Sequence, residues 1–554
     1  MARLEPQRVG EVLPERFQRG GVQRRLTAGS HKGARETAPS FPAPVDRPGE
    51  RLPLCVRDPS LKVQVSDDVR DNRLHEHGSA SSGDHLPPGA YRPRCPNARR
   101  RLAPMARIPR FLIAALAVSL VASVIGAGAA SAAVTRSPAS ASYRVHLTSD
   151  AQGHAWTGTE SITFTNVSKV AMPTVWLHLW SNGVKGCAAS AITVSQLAGG
   201  TPGRPILSCT SLPIRLAQPL LPNHATTLSM NVRIQLFHRN DRFGFNGGIA
   251  FLGTALPTLA VKDDHGWNLS PFVDLGESFY SLVSDYRVTL DTPSWLQTPA
   301  TGVLVSSAKR GTRTVRTYVA HQVRDFEWAA ARFRHLVGSA KGARVNVWYL
   351  PSLDTAAEAK QARVNAVRAM TTFSQDFGAY PYPEVDVVLS SHHGFGGMEY
   401  PTIVFTEPTQ KTLVHELAHQ WFYGVVGDDQ FREPWLDESF ATWGTNLPFG
   451  GSRRCAVYHW PNATVRLNSS MAYFRRVPEA YGAVYSGGSC MLSQLSDLFG
   501  AEAFVSVLRD YVAAHQLGVA RTGDFKHAVA AAARVQLPGF DLAAFWHTWR
   551  LDRP

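Results

Sequence analysis

Between residues 142 and 340 the chain alternates apolar and polar residues in short runs. The alternation is clearest at residues 143–147, 161–165, 175–180, 228–234, 286–290 and 314–319. A period of two sends successive side chains to opposite faces of a strand and is typical of a half-buried β-sheet. Turn-forming residues separate the runs, as at 150–153 and 199–202. The pattern predicts an all-β antiparallel N-terminal domain, sandwich-like or saddle-like, over residues 133–340.

From residue 341 onward the apolar residues recur mostly with helical spacing. The predicted elements are strands at 345–350 and 385–389 and helices at 354–377, 412–423 and 434–447. Asp354 is the predicted N-cap of the first helix. Residues beyond these elements continue mostly with helical spacing. The chain is therefore predicted to be multidomain, with a mainly helical α+β domain over residues 341–554.

The first 132 residues fit neither pattern. Residues 1–104 are rich in Arg, Pro, Gly and Ser, so we expect a disordered leader, and we hypothesise that translation begins at Met105. Residues 105–132 combine a basic start, an apolar run and an Ala-Ser-Ala end, which is the pattern of a cleaved signal peptide. A retained membrane anchor is the alternative, because the apolar run is long enough to span a bilayer. We expect an exported protein, secreted or in the cell envelope.

Charge and cysteine content narrow the class of protein. The formal net charge is +14, but residues 1–132 contribute +9 of it, and no basic stripe with interleaved aromatics follows, which argues against a nucleic-acid partner. The cysteines after the leader are Cys187, Cys209, Cys455 and Cys490. In an oxidising compartment they can form two disulfides. The pairs Cys187–Cys209 and Cys455–Cys490 each fall within one predicted domain, but the sequence leaves two other pairings open.

The predicted helix at 412–423 carries two histidines four residues apart, His415 and His419. Residues at i and i+4 lie on one helix face, so both imidazoles can reach one metal ion at about 2.0–2.1 Å. Glu416 lies beside them, where its carboxylate can take a proton from metal-bound water. Glu438, after an 18-residue gap, completes a His₂Glu ligand set with a fourth position open. The motif predicts a catalytic site with one zinc ion per chain.

With its neighbours, this motif resembles the aminopeptidase N family of zinc metallopeptidases (gluzincins), whose signature is H-E-x-x-H, an 18-residue gap and Glu. Residues 435–441, W-L-D-E-S-F-A, resemble the family's W-L-N-E-G-F-A, and residues 396–400, G-G-M-E-Y, resemble its G-x-M-E-N. The resemblance covers residues 142–554 and implies a thermolysin-like catalytic domain. We expect a short form without the C-terminal helical domain of larger members.

Carried over to this chain, the resemblance implies a substrate-binding segment of Gly396, Gly397, Met398 and Glu399. A carboxylate at a fixed distance from the zinc makes the α-ammonium group of a peptide the register mark. Glu399 is therefore expected to restrict cleavage to the first peptide bond. Tyr400 stands where the family usually has Asn.

Tyr485 is the candidate transition-state stabiliser, because a phenol hydroxyl can donate a hydrogen bond to the oxyanion. Its surroundings, V-Y-S-G-G at 484–488, resemble the family's Y-x-K-G, with Gly487 in place of Lys. Tyr481 is a second, weaker candidate. The family commonly has an acid at the position of Thr445 that supports a zinc-binding histidine, so the orienting group in this chain is left open.

Together these residues predict a zinc metalloaminopeptidase that removes the N-terminal residue from peptides by attack of zinc-bound water. The expected partners are peptides with a free N-terminus, with the membrane a partner only if the signal sequence is retained. Two alternatives stay open at this point. One is a zinc endopeptidase with an open cleft, and the other is a non-catalytic, peptide-binding relative. Cleavage of N-acetylated peptides would distinguish the first, and zinc binding without turnover the second.

Overall fold

The computed structural model describes residues 134–390, 396–450, 455 and 457–551. These residues belong to one compact unit. The predicted leader and signal peptide, residues 1–132, lie outside the described residues. Among the helices that the structure describes, none is both long enough and apolar enough to cross a membrane.

The N-terminal region is built from short strands. They are β1 (Ala139–Ser149), β2 (Ala155–Thr165), β3 (Met172–His178), β4 (Ile192–Ala198), β5 (Gly200–Pro202), β6 (Ser211–Leu220), β7 (Ala225–Gln235), β8 (Phe243–Asn246), β9 (Ile249–Leu252), β10 (Thr258–Leu259), β11 (Lys262–Asp263), β12 (Gly266–Trp267), β13 (Ser284–Pro293), β14 (Val303–Arg310), β15 (Arg313–Val323) and β16 (Trp328–Ala330). Two short 3₁₀ helices, Trp180–Val184 and Gly186–Ala189, follow β3. Five of the six alternating runs lie inside a strand, and the sixth extends beyond the end of β3.

Seven of these strands form the largest sheet, in the order β14-β15-β13-β1-β2-β7-β4. Neighbouring strands are antiparallel except β1 and β13, which pair in parallel from Ser142 with Asp285 to Thr148 with Asp291. The prediction of a purely antiparallel domain is therefore wrong for one pair. Parallel neighbours need a long connection, and here all the strands from β2 to β12 lie between them. The smaller sheets have the orders β10-β3-β6-β5, β16-β9-β8 and β11-β12.

The second region mixes strands and helices, as the sequence predicts. Its elements are β17 (Arg334–Ala340), β18 (Ala343–Tyr349), α1 (Ala356–Asp376), β19 (Glu384–Leu389), β20 (Gly397–Met398), β21 (Ile403–Thr406), α2 (Gln410–Ala418), α3 (Trp435–Gly444), α4 (Met471–Phe474), α5 (Gly488–Phe499), α6 (Ala501–His515), α7 (Thr522–Gln536) and α8 (Leu542–Thr548). Short 3₁₀ helices occur at Leu447–Phe449 and Pro478–Ala480, and a π-helical segment, Ala483–Gly487, precedes α5.

Five strands of this region form a sheet in the order β17-β18-β19-β21-β20. The β17–β18 hairpin, closed by the pairing of Ala340 with Ala343, crosses the predicted domain boundary at residue 340. Buried residues of the seven-stranded sheet and of α1, α2 and α3 belong to one continuous apolar cluster, which includes Trp156, Phe373 and Leu413. This cluster fixes α2 and α3 against the N-terminal region.

Several helix boundaries differ from the prediction by one to five residues, and two of the differences have a clear physical cause. The N-cap of α1 is Thr355, not Asp354, because the Thr355 hydroxyl accepts from the Glu358 amide while the Glu358 carboxylate accepts from the Thr355 amide. α2 ends at Ala418 instead of continuing to Tyr423. Tyr423 has φ 120°, which no helix accommodates.

Two disulfides connect the pairs of cysteines that lie within one predicted domain. Cys187 is bonded to Cys209, and Cys455 is bonded to Cys490. The preferred pairing is thus confirmed. The second disulfide joins α5 to the chain that follows α3.

Candidate active site

α2 presents one face to the core and another to a cavity. Thr409 caps its N-terminus, because its hydroxyl accepts a hydrogen bond from the Thr412 amide (3.2 Å). Leu413 and Leu417 are fully buried, so the helix packs through the face that carries them. His415 lies on the face that lines the cavity.

α3 brings Glu438 to the same cavity. Trp435, at the start of α3, is fully buried, and its indole N–H donates to the Thr522 hydroxyl (2.9 Å), which anchors the helix to α7. The N-terminus of α5 lies so close to α3 that a Cβ at Gly488 would be 1.8 Å from Ser439 Oγ. Only glycine permits this approach, which holds α3 with Glu438 buried at the base of the cavity.

The three predicted metal ligands converge. His415 Nε2 lies 3.1 Å from Glu438 Oε2 and 3.2 Å from His419 Nε2, and His419 Nε2 lies 3.6 Å from Glu438 Oε2. Four-coordinate zinc with bonds of about 2.0–2.1 Å separates neighbouring ligand atoms by about 3.3 Å. Two imidazole nitrogens and one carboxylate oxygen at these separations fit zinc. One face of the triad opens to the cavity.

Electrostatics also favour a bound cation at this triad. Burial alone would raise the pKa of the Glu438 carboxyl, but hydrogen bonds from His415 and His419 outweigh it and hold that pKa below its usual range. Burial lowers the pKa of His415, so its imidazole is neutral and keeps a lone pair for a metal. Burial would lower the pKa of His419, but the carboxylates of Glu399 and Glu438 outweigh it and raise that pKa, so a metal ion that binds there replaces a proton.

The group that orients His419 is a backbone carbonyl. His419 Nδ1 lies 3.1 Å from Phe422 O, so the N–H at Nδ1 donates to that oxygen and Nε2 faces Glu438 and His415. Thr445 does not take this part, because its hydroxyl donates to Ala441 O within its own helix end (2.9 Å). The turn after α2 therefore supplies the support that the sequence left open.

Glu416, the predicted general base, lies beside the metal ligands and is 4% exposed. β20 crosses directly over it, because a Cβ at Gly397 would be only 2.3 Å from Glu416 Oε1. Glycine at position 397 is thus a steric requirement of this arrangement. Burial raises the pKa of Glu416 to about 8.

Glu399 also lies at the cavity and is 3% exposed. Its Oε1 accepts a hydrogen bond from Gln430 Nε2 (3.2 Å), and the same amide donates to Asp437 Oδ2 (2.8 Å). Ligand atoms of Glu399, His419 and Asp437 all lie within 4.8 Å of one another. Burial and the neighbouring carboxylate of Glu277 raise the pKa of Glu399 well above its usual range. The structure thus places Glu399 immediately beside the metal ligands.

The other residues of the predicted substrate segment divide into two groups. Gly396, with φ +89°, and Gly397 line the cavity. Met398 is not among the residues that line it, because its side chain is fully buried in an apolar cluster with Phe251 and Phe405. Met398 therefore anchors the segment in the core while its neighbours face the site.

Tyr485 reaches the metal ligands from the π-helical segment, and its hydroxyl donates to Glu438 Oε1 (2.8 Å). Such segments are frequent at functional sites. The ring of Tyr481 lies 5.4 Å from that of Tyr485, but its hydroxyl makes no hydrogen bond to the metal ligands and lies against Gly276, where a Cβ would be 2.2 Å from it. Beside Gly487 the ring of Tyr458 occupies the space that a side chain would need, since a Cβ there would be 3.0 Å from the ring.

Residues 239–242 and 274–277 of the N-terminal region form the opposite side of the cavity, which we call the β-wall. Arg242 Nη1 lies 2.9 Å from Glu277 Oε1, and Arg239 Nη2 lies 2.6 Å from Asp274 Oδ1. The cavity between the β-wall and the metal ligands has a volume of about 540 Å³. The sequence analysis missed these residues. A cluster of charged residues within an apolar β-region is the one signal that could have drawn attention to them.

Comparisons with known proteins agree with this geometry. A family model described as "Peptidase family M1 domain" matches residues 362–549. Aminopeptidase M1-A of Oryza sativa subsp. japonica is 26% identical over 245 residues, which are 38% of this chain and 27% of that protein. The chain thus spans about a quarter of the length of this curated relative.

Solved structures share the fold. An M1 zinc metallopeptidase from Deinococcus radiodurans aligns with a TM-score of 0.57 and 18% identity over 76% of this chain and 95% of that chain. A mutant of the Deinococcus protein bound to the substrate Tyr-Ser-Ala aligns with a TM-score of 0.55 over the same shares of both chains, also at 18% identity. The aligned part includes a β-rich region followed by an α+β catalytic domain. The part of the chain that holds His415, His419 and Glu438 thus lies within the match to the peptidase family M1 domain.

Proposed function

We propose that the protein is a zinc-dependent aminopeptidase that releases the N-terminal residue of peptides. The observation that carries the proposal is the convergence, in one cavity, of a His₂Glu zinc-ligand triad with a buried carboxylate, Glu399, beside it. The triad suits hydrolysis, and the extra carboxylate suits recognition of an amino terminus. The triad alone does not recognise an amino terminus, and Glu399 alone does not hydrolyse a peptide bond.

His415, His419 and Glu438 are the residues that hold zinc, at separations that fit tetrahedral coordination. Zinc, when bound by these residues, would supply Lewis acidity to the reaction. Glu416 takes a proton from the attacking water on its carboxylate and later passes it to the leaving nitrogen. A side chain at position 397 would collide with this carboxylate, and glycine leaves room for it.

Glu399 fixes the register of the substrate. An α-ammonium group that pairs with its carboxylate places the first peptide bond, and no later one, beside the metal ligands. The charge of the cavity supports this role. Six acidic and three basic side chains line it, so acidic groups outnumber basic ones. A positively charged amino terminus is attracted to such a cavity.

Tyr485 stabilises the transition state in this proposal. Its hydroxyl already lies one hydrogen bond from Glu438, so a small movement lets it donate to an oxyanion that forms next to the metal ligands. This movement exchanges the charge-assisted hydrogen bond from the Tyr485 hydroxyl to Glu438 for one to the oxyanion.

Related proteins support the substrate class. The rice relative is named an aminopeptidase, and the mutant Deinococcus protein is described as bound to the substrate Tyr-Ser-Ala. We infer that peptides are also the substrates of this chain, because it matches the same family domain and has the same fold. Which first residue is preferred depends on the β-wall.

The test is hydrolysis of aminoacyl fluorogenic amides, each also prepared with an N-acetyl group. We expect zinc-dependent cleavage of the free-amine substrates and no cleavage of the acetylated ones, because acetylation removes the ammonium partner of Glu399. Cleavage of both sets would instead establish an endopeptidase. Zinc binding without cleavage of either set would establish a non-catalytic relative.

Export remains part of the proposal. The two disulfides support it, since such bonds persist in oxidising compartments and are rare in the cytosol. N-terminal sequencing of the native protein tests it. A mature end after residue 132 is expected, and a native protein that retains residue 1 would contradict both the signal peptide and the start at Met105.

A further inference from the structure

A buried arginine of the N-terminal region has no part in the site described so far. Arg324 follows β15 and is 2% exposed. Its guanidinium group donates to four backbone carbonyls, those of Tyr423 (2.6 Å), Ser281 (3.2 Å), Val425 (3.3 Å) and Gly518. A buried guanidinium uses its fixed fork of donors to hold several acceptors in one geometry.

Two of these carbonyls belong to the turn that follows α2, residues 419–426. The turn is closed by hydrogen bonds from the Gly424 amide to His419 O (2.9 Å) and from the Tyr423 amide to Val426 O (2.9 Å). Tyr423 has φ 120°, a conformation that side-chain-bearing residues rarely adopt and that persists only when the surroundings impose it. The turn therefore depends on contacts from outside itself.

Those contacts come from the N-terminal region. Arg324 holds the Tyr423 carbonyl, and the buried carboxylate of Asp325 accepts from the Tyr423 hydroxyl. The fit is close, because a Cβ at Gly427 would be 2.1 Å from the Arg324 guanidinium carbon. Arg324 thus fixes the backbone of Tyr423, and Asp325 fixes its side chain.

The same turn carries the carbonyl that orients His419. Phe422 O lies 3.1 Å from His419 Nδ1, and Arg324 donates to the carbonyl of the next residue, Tyr423. Arg324 and His419 therefore contact consecutive carbonyl groups of the turn. We propose that Arg324 is a positioning residue for the zinc site: it holds the turn in the form that directs Phe422 O at His419 and so sets the orientation of this ligand. This inference rests on the proposed zinc site.

The β-rich region is then more than one side of the cavity, because it sets the geometry of a metal ligand that it does not touch. Supporting groups around metal ligands change metal affinity by roughly 10- to 100-fold when they are removed. The proposal predicts an effect of this size from a residue that is neither a ligand nor in contact with substrate.

The experiment compares Arg324→Gln and Arg324→Lys with Arg316→Gln. Arg316, in β15, is the matched control, because it is a buried arginine like Arg324. Its hydrogen bond to Thr292 Oγ1 (3.0 Å) stays within the N-terminal region. The zinc dissociation constant is measured by competition with a chelator. The visible absorption of the cobalt-substituted proteins reports the ligand geometry directly, and thermal unfolding reports stability.

We expect Arg324→Gln to raise the zinc dissociation constant by roughly 10- to 100-fold and to alter the cobalt spectrum. Arg324→Lys should fall between this variant and the wild type, because an ammonium group reaches fewer carbonyls than a guanidinium group does. Arg316→Gln should keep the wild-type zinc affinity and spectrum even if it lowers the melting temperature.

Equal zinc affinity and identical cobalt spectra in the wild type and the Arg324 variants would overturn the proposal, as would an equal loss of affinity in Arg316→Gln. If Arg324→Gln does not fold, the lysine variant decides by the same criteria. Zinc affinity is measured without substrate, so absence of peptidase activity in the wild type would contradict the proposed function and leave this comparison intact.

Discussion

The two sides of the cavity are built in opposite ways. On the metal side, His415 lies in α2, His419 directly follows that helix, and Glu438 lies in α3. The β-wall comes from a different region of the chain, far upstream in sequence. The Glu438 carboxylate on the metal side is paired with imidazoles, whereas Glu277 and Asp274 of the β-wall are paired with arginines.

This difference assigns different tasks to the two sides. Imidazoles and a carboxylate at ligand separations hold a cation and support hydrolysis. Carboxylates already neutralised by arginine shape the cavity and its field without adding chemistry of their own. Substitutions on the metal side should therefore lower kcat, and substitutions on the β-wall should act mainly on KM.

The largest expected effect is that of Glu416→Gln. The amide cannot accept the proton of the attacking water, so kcat should fall by roughly 10²- to 10⁴-fold. Zinc content, measured by metal analysis, should stay at one per chain, because Glu416 is not a ligand in this account. Retained activity in this variant would show that the general base lies elsewhere.

Tyr485→Phe comes next and should lower kcat by about 10²- to 10³-fold with little change in KM, since the hydroxyl acts on the transition state. Steady-state kinetics on a free-amine amide measure both constants. Tyr481→Phe is the comparison variant, because its ring lies 5.4 Å from that of Tyr485 but its hydroxyl makes no hydrogen bond to Glu438. A larger loss in Tyr481→Phe would reverse the assignment.

Glu399→Gln should lower kcat/KM for free-amine substrates by about 10- to 100-fold, because a charge-assisted hydrogen bond of about 1.5–3 kcal/mol is lost. Steady-state kinetics on a free-amine amide measure this loss. An unchanged kcat/KM would mean that Glu399 does not bind the amino terminus.

The smallest effects are expected on the β-wall. Glu277→Gln removes the carboxylate that lies 2.9 Å from Arg242 and leaves this arginine only Asp241, at 3.6 Å. More of its positive charge then opposes the substrate ammonium group, so KM should rise by about 10-fold. Asp274→Asn is the control, because its carboxylate is 61% exposed and exposed ion pairs contribute about 1 kcal/mol or less. Equal kinetic effects of the two substitutions would remove the distinction between these ion pairs.

The metal side could be predicted from the sequence because its geometry is local. The helical period places His415 and His419 on one face, and the structure brings their ring nitrogens to within 3.2 Å. The gap to Glu438 is bridged by residues 419–434 and the first turn of α3, and its carboxylate meets both histidines. Alternation of apolar and polar residues likewise located the main strands of the N-terminal region.

What the sequence missed depends on contacts between distant segments. The early end of α2 results from the turn that Arg324 and Asp325 hold, about 100 residues away along the chain. The parallel pairing of β1 and β13 and the ion pairs of the β-wall have the same character. Met398 belongs to the predicted motif, but only its burial shows that it packs in the core.

The most direct test of the metal side is titration of the metal-free protein with zinc while hydrolysis of a free-amine amide is followed. The account predicts that activity rises with added zinc and saturates at one equivalent per chain. Activity that is independent of zinc, or a protein that binds one equivalent and stays inactive toward every free-amine substrate, would contradict it.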